Sequence, residues 1–503
     1  MAANVGDLDQ LRRRPRGLAR WPAAPPALHP APAAARRRDG PLPARLAGLA
    51  VALGVPLALW PLPPPDGLAA EGWHVLLIVL GAAIGWLLEP LPDYAVALLM
   101  AAAWGLAGLA PPPLIFAGFA SSAWVVALSA LGLAAAMVHS GLLFRIALFS
   151  LSVFPPTRVG QILALLISGV LITPLMPLAV ARVAAVAPLT RDLARALGYP
   201  PGSRASATLA CAGVVGYGLF GSVFLTGLVM NFFVLDLLAE PDRVRFDWLT
   251  WLACAAPTGV ILLVGTAVLL ALFPVEAAPK VCSLRVRARR RALGPLSRHE
   301  RVTIAALTVL LVGLVAQPVV HVDTVWLAIG GLAVATAGGG LDRARFRGTI
   351  DWGFLTLFGV LLGTGGVLQS VGVDRWIAHS LVQVGQVSGS PGVTVVLMGV
   401  FVVACRIVLP WIPATLLLSL ALVPAGRQLG LSPWVIGFVV LTTANTWLHP
   451  NQAELCRLAR DATGGATFAD RHSLVMGAAI TVLTLVAIAT SVPYWHALGL
   501  LSQ

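Results

Sequence analysis

What most constrains this chain is a recurring run of about 20 apolar residues, the length at which a helix crosses the roughly 30 Å of a bilayer's hydrocarbon core. Such runs fall near residues 45–62, 73–89, 94–110, 123–139, 205–238 and 248–273, then at 302–319, 323–340, 352–371, 433–448 and 473–494. In lipid every backbone polar group must be satisfied within the chain, so runs of this length read as helices. The sequence predicts an all-α polytopic membrane protein of about 11 transmembrane helices. Composition agrees: 58% of the residues are hydrophobic and 11% are charged, whereas a soluble chain is roughly 45–50% apolar and about 25% charged.

The net charge of +13 could suggest a nucleic-acid partner. The arginines, however, sit in short segments between apolar runs, as in cytoplasmic loops beside anionic lipid. Nucleic acid is therefore excluded and membrane lipid is the expected surrounding. The densest segment, 274–301, holds Arg285, Arg287, Arg289, Arg290, Arg291 and Arg298 and reads as a basic cytoplasmic linker. Residues 1–44 carry Arg12 to Arg14 and Arg36 to Arg38 among many Pro and Ala, a composition that cannot bury a core and reads as a disordered cytoplasmic tail. The expected location is the cell's inner (plasma) membrane, with the N-terminus cytoplasmic. Cys211, Cys254, Cys282, Cys405 and Cys456 are scattered singly, without the spacing of a metal or disulfide framework.

Two long apolar segments do not fit simple spans. Residues 158–190 are interrupted by Pro174 and Pro177, and residues 392–424 by Pro410 and Pro413, so each reads as a re-entrant hairpin. Gly141 to Ala147 before the first is answered by Gly372 to Ala378 before the second. The chain then divides into two inverted repeats, 45–273 and 302–503. Interrupted segments at matching positions of such repeats point to a binding site near the bilayer midplane.

Arg182 follows the first tip and Arg406 precedes the second. An arginine at the bilayer centre costs about 2.5–3.5 kcal/mol even on a lenient scale. A carboxylate- or sulfate-like solute would offset that cost, and so would snorkelling or an internal acid. After each hairpin comes a span broken by polar residues, with Thr226 and Asn231 in one and Asn445 and Asn451 in the other. With Thr415 past the second tip, these make Arg182, Thr226, Asn231, Arg406, Thr415, Asn445 and Asn451 the candidate substrate contacts. Such Thr and Asn side chains also commonly bond neighbouring helices. His139 and His449 are candidate proton carriers, although a packed neutral histidine is the commoner case. No GxxxxGK[ST], HExxH or GxSxG motif occurs, so no enzyme activity, cofactor or metal is expected.

The paired hairpins, with Leu225-Thr-Gly-Leu-Val-Met-Asn231 and Asp351-Trp-Gly-Phe-Leu-Thr-Leu-Phe-Gly359, resemble the divalent-anion:sodium symporter family over residues 70 to 500. The resemblance implies a dicarboxylate, citrate or sulfate permease, a homodimer working by an elevator motion, with substrate and sodium at the two tips. It also implies a Ser-Asn-Thr triplet followed by Ala at each tip. Here those positions read Leu178-Ala179-Val180 and Trp411-Ile412-Pro413, which offer none of the side-chain oxygens that a hard cation prefers. Some members of the family exchange anions without sodium, using fixed positive side chains. The expectation is thus a secondary transporter of di- or tricarboxylates by alternating access, with coupling open among sodium-independent exchange, proton symport and sodium symport. Its rivals are a transport-deficient receptor or scaffold, and a proton-linked ion permease, for which an acid within the hairpins would argue; residues 158–190 and 392–424 contain none.

Overall fold

The computed structural model describes residues 42–155, 157–273, 294–377, 379, 390–424, 426, 430–449 and 452–501. Most of the expected tail and of the expected linker therefore lies outside the described residues, as does Asn451, while residues 42–44, read as tail, are helical. The main helices are α1 (Leu42–Leu59), α2 (Ala70–Leu88), α3 (Asp93–Leu106), α4 (Ser122–Ser140), α5 (Leu142–Val153), α6 (Arg158–Ile172), α7 (Ala179–Ala196), α8 (Arg204–Gly218), α9 (Val229–Leu237) and α10 (Trp248–Leu272). The second half contributes α11 (Arg298–Val320), α12 (Thr324–Ala337), α13 (Trp352–Ser370), α14 (Pro391–Val408), α15 (Trp411–Leu422), α16 (Pro433–Ala444), α17 (Glu454–Ala462) and α18 (Asp470–Ala497). Among the described residues the only β-type pairing is an isolated bridge between Leu431 and Leu501.

Each of the eleven expected spans finds a helix or a broken pair of helices. Among the described residues ten helices are long and apolar enough to cross a membrane. That set includes the first arm of each hairpin, Arg158–Leu175 and Pro391–Val408, while α3, α12 and α16 are shorter. Two boundaries differ from the sequence reading. Helix α7 continues to Ala196 by running through Pro188, and α11 begins at Arg298, inside the segment read as linker.

Local signals explain the starts and stops. The Asp351 carboxylate accepts Phe354 N–H at 2.9 Å to open α13, and Asp247 accepts Thr250 N–H at 2.7 Å to open α10. Ser297 and Glu300 form a reciprocal capping box at α11. Glu300 also pairs with Arg145 at 2.6 Å, tying α11 to α5. Between α12 and α13, Asp342 accepts Arg345 N–H at 2.8 Å, and that hydrogen bond holds its carboxyl below the usual carboxylate range.

Helices α8 and α16 form the centre, every residue of α16 and every residue of α8 after Arg204 being buried. Both arms of the first hairpin, α6 and α7, lie along α8, and both arms of the second, α14 and α15, pack on α16. The halves interlock: α9 packs on α15 and α16, while α17 packs on α7 and α8. Close approach of α6 to α8 depends on two small residues. A Cβ on Gly169 would lie 2.3 Å from Gly216 O, and one on Gly216 would lie 2.8 Å from Leu165 O. Outward faces carry exposed Leu46, Leu53, Val260, Val264, Val312 and Val482. Apolar exposure on that scale fits contact with lipid.

Candidate functional site

At the first tip α6 ends in a single 3₁₀ turn, Thr173–Leu175, then extended backbone leads into α7. Beside it the span α8 to α9 is interrupted by two further 3₁₀ turns, Leu219–Val223 and Leu225–Gly227. Freed backbone groups need new partners, and Arg182 and Asn231 supply several of them. The fully buried Arg182 donates from Nε to Tyr217 O at 2.6 Å and from Nη1 to Gly227 O at 3.0 Å, and Nη1 also donates to Met176 O. Asn231 Nδ2 donates to the carbonyls of Gly221, Phe224 and Leu225 at 2.9, 2.8 and 3.2 Å. Thr226 accepts the indole N–H of Trp248 at 3.1 Å. Gly227 is fixed by its surroundings, because a Cβ there would lie 2.4 Å from Gly221 O.

A small cavity adjoins this tip. Pro174, Leu175, Pro177, Thr226 and Phe232 line it together with apolar residues of α4, α11 and α12. Thr226 and Thr324 bring hydroxyls to its lining, and Arg182 and Asn231 do not reach it.

The second tip is different. Helix α14 ends at Val408, and α15 begins at Trp411 after a break of two residues. Arg406, 3% exposed, donates from Nε to Ala444 O at 2.8 Å and from Nη1 to Leu409 O at 2.5 Å. Its Nη2 makes no hydrogen bond among the described residues. Gln452 closes the turn after α16: its amide oxygen accepts Leu448 and His449 N–H at 2.8 and 3.0 Å, and its amide donates to Arg406 O. Asn445 joins the two broken spans, donating to Gly218 O and Leu219 O at 3.2 and 3.3 Å. Beside it Thr442 donates to Ser222 at 3.0 Å.

A second small cavity opens on these groups. Arg406, Trp411, Asn445, Trp447, Gln452 and Glu454 are the members of its lining that bear polar groups. The buried indole N–H of Trp411 has no partner among the described residues. The cavity lining thus includes an arginine and a tryptophan, each bearing a group able to donate. Helix α15 and helix α17 also begin at it, with Trp411 and Glu454 as their first residues. Helix N-termini favour negative charge.

Of the candidates read from sequence, Arg406 and Asn445 meet in this cavity. Arg182 and Asn231 hold the first break, and Thr226 faces the first cavity. Thr415 donates to Trp411 O at 2.8 Å along its own helix. His139 lies at the end of α4, within 2.8 Å of Thr349 Oγ1, and His449 is exposed, so neither lines a cavity. Sequence reasoning missed Trp411, Gln452 and Glu454. Gln452 and Glu454 extend the polar stretch that ends the second broken span, and that continuity was the available signal.

Residues 43–501 match the sodium:sulfate symporter transmembrane region. The chain belongs to that family. Among relatives of this symporter-family chain is dicarboxylate transporter 1, chloroplastic, of Arabidopsis thaliana, 28% identical over 67% of this chain and 62% of the relative. Another is inner membrane protein YbhI of Escherichia coli (strain K12), 24% identical over 66% of this chain and 72% of the relative. The chain thus spans less than two thirds of the Arabidopsis protein's length. The crystal structure of the Alcanivorax borkumensis YdaH transporter is similar in fold, with a TM-score of 0.51 and 14% identity over 76% of this chain and 87% of that one. The family establishes a membrane transporter rather than an enzyme.

Proposed function

We propose that this chain is a secondary transporter of small dicarboxylate anions and that the cavity at the second tip is its anion site. One observation carries the assignment: Arg406, nearly fully buried, keeps one nitrogen uncommitted in the cavity that also holds the unpartnered Trp411 N–H. A guanidinium edge and a second donor match a carboxylate geometrically, and low polarity around them strengthens the match. The name of the Arabidopsis relative favours a dicarboxylate.

The finer features belong to the same reading. Transport proceeds by an elevator-type movement of the hairpins with α8 and α16, in a homodimer in the plasma membrane with its N-terminus cytoplasmic. Exchange is sodium-independent, and the donor set at the tips supports this. Leu178, Ala179, Val180, Ile412 and Pro413 offer no side-chain oxygen. The carbonyls of Met176, Tyr217 and Gly227 already accept from Arg182.

The test is uptake of labelled malate into liposomes containing the full chain, with and without internal malate and a sodium gradient. Uptake that needs internal anion, ignores sodium and is lost in Arg406→Gln is expected. Uptake driven by sodium would overturn the coupling, and binding without uptake would favour a receptor on the same fold.

A further inference from the structure

The lining of the second cavity includes a glutamine whose side chain is engaged at both ends. The need for it begins with Pro410. Helix α14 runs to Val408, and Leu409 N–H still donates to Cys405 O at 2.9 Å. The next bond of that helix would end on Arg406 O, but residue 410 is a proline and has no N–H to give. A carbonyl left over at a helix end needs another donor. Gln452 supplies it, donating from its side-chain amide to Arg406 O.

The oxygen of the same amide is committed to the broken span. Helix α16 ends at Ala444, and beyond it Gln452 Oε1 accepts Leu448 N–H at 2.8 Å and His449 N–H at 3.0 Å. Arg406 returns the link, because its Nε donates to Ala444 O at 2.8 Å. The end of α14 and the break after α16 are therefore tied twice, once by each side chain. We propose that Gln452 is a positioning residue for the anion: it holds the Arg406 backbone to the 448–449 turn, so that the first arm of the second hairpin and the broken span carry the site as one piece. This rests on the reading of the cavity as the anion site.

The place requires an amide. One end must accept two N–H groups and the other must donate to a carbonyl. An ionised carboxylate can only accept, so it would set an oxygen against Arg406 O. A protonated carboxyl has one acceptor oxygen and one O–H, and reproduces the amide. Methionine has similar length and does neither. The charged members of the cavity lining, Arg406 and Glu454, are unchanged by substitution at position 452, so comparing each variant with the wild type at the same pH removes their own titration.

The full chain in nanodiscs is titrated with sulfate, which keeps its double charge across the range, and with malate, by calorimetry from acid to alkaline pH; thermal midpoints show that the titrated protein is folded. Gln452→Met is expected to bind about tenfold more weakly at every pH, the cost of leaving one buried polar group unmatched. Gln452→Glu is expected to bind like the wild type at the acid end and to fall behind it by up to about tenfold per pH unit once its carboxyl ionises, the slope of a single proton. An introduced charge that merely repelled the anion would give the same slope in Gln452→Glu but leave Gln452→Met like the wild type. Wild-type affinity in Gln452→Met thus overturns the positioning role, and so does a Gln452→Glu that binds no better than Gln452→Met at the acid end. Should Gln452→Met fail to fold, recovery of Gln452→Glu at the acid end still decides. In each of these cases loss of binding in Arg406→Gln leaves the anion site standing. Binding that survives in Arg406→Gln, or no binding of either anion by the wild type, overturns the anion site and this inference with it.

Discussion

Two arginines raise the same question in the sequence, since each lies where charge is costly, and they answer it differently. Arg182 is spent on three carbonyls that the interrupted helices leave unpaired. Replacing it with Met should leave those carbonyls unsatisfied and lower stability by about 3 kcal/mol. Thermal unfolding in detergent would register this as a clear fall in midpoint. An unchanged midpoint with lost anion binding would instead make Arg182 a substrate contact. Arg406 has an uncommitted edge, so Arg406→Lys should keep the midpoint near wild type and weaken dicarboxylate binding about tenfold, because an ammonium cannot reproduce the fork. Binding measured by the shift in midpoint with added malate would check it. That these arginines need partners was legible in the sequence. Which partners they have was not, because Tyr217 and Gly227 come from a break 35 and 45 residues further along the chain. Glu454 was hidden for a related reason: it lies outside both hairpins and reaches the cavity from the broken span beside them.

At the scale of elements, the proline pairs marked both hairpin tips and the polar stretches marked both broken spans, because each disrupts a helix where the backbone must find other partners. Their packing was hidden, since a Leu- and Ala-rich helix gives little sign of which face meets which neighbour. Glycines supply the detail. Gly169 and Gly216 meet backbone to backbone where α6 crosses α8, so Gly169→Leu should wedge the first hairpin off the central helix and abolish a monodisperse peak in size-exclusion chromatography. Gly330→Leu on α12 is the matched control, because no atom lies within 4 Å of the Cβ it would add. Equal loss in both would mean that leucine at a helical glycine, rather than this crossing, is responsible. The two cavities extend the lesson: similar breaks enclose an apolar space at one tip and a polar one at the other, and only the assembled side chains distinguish them.

For the whole molecule, hairpin, broken span and long helix follow one another in α6 to α10 and again, in the same order, in α14 to α18. We read the two series as inverted in the membrane. Between the base of the first hairpin at Arg204 and the approach to the second at His379 lie the broken span α8 to α9 and helices α10, α11, α12 and α13. If the broken span crosses once, that is five crossings, and the two exposed positions face opposite sides. Arginines near the first base, among them Arg191, Arg195 and Arg204, place it in the cytoplasm by the positive-inside rule. Single cysteines at Arg204→Cys and His379→Cys, made with the five native cysteines replaced, should then react from opposite sides with a reagent that cannot cross the membrane. In intact cells His379→Cys should label and Arg204→Cys should not until the membrane is opened. Labelling of both from one side would mean that α8 and α9 enter and leave by the same face, so that both hairpins would open on one side. The second cavity could then no longer be reached from alternate sides by moving the two tips against each other, and the transport cycle proposed for it would fail with the topology.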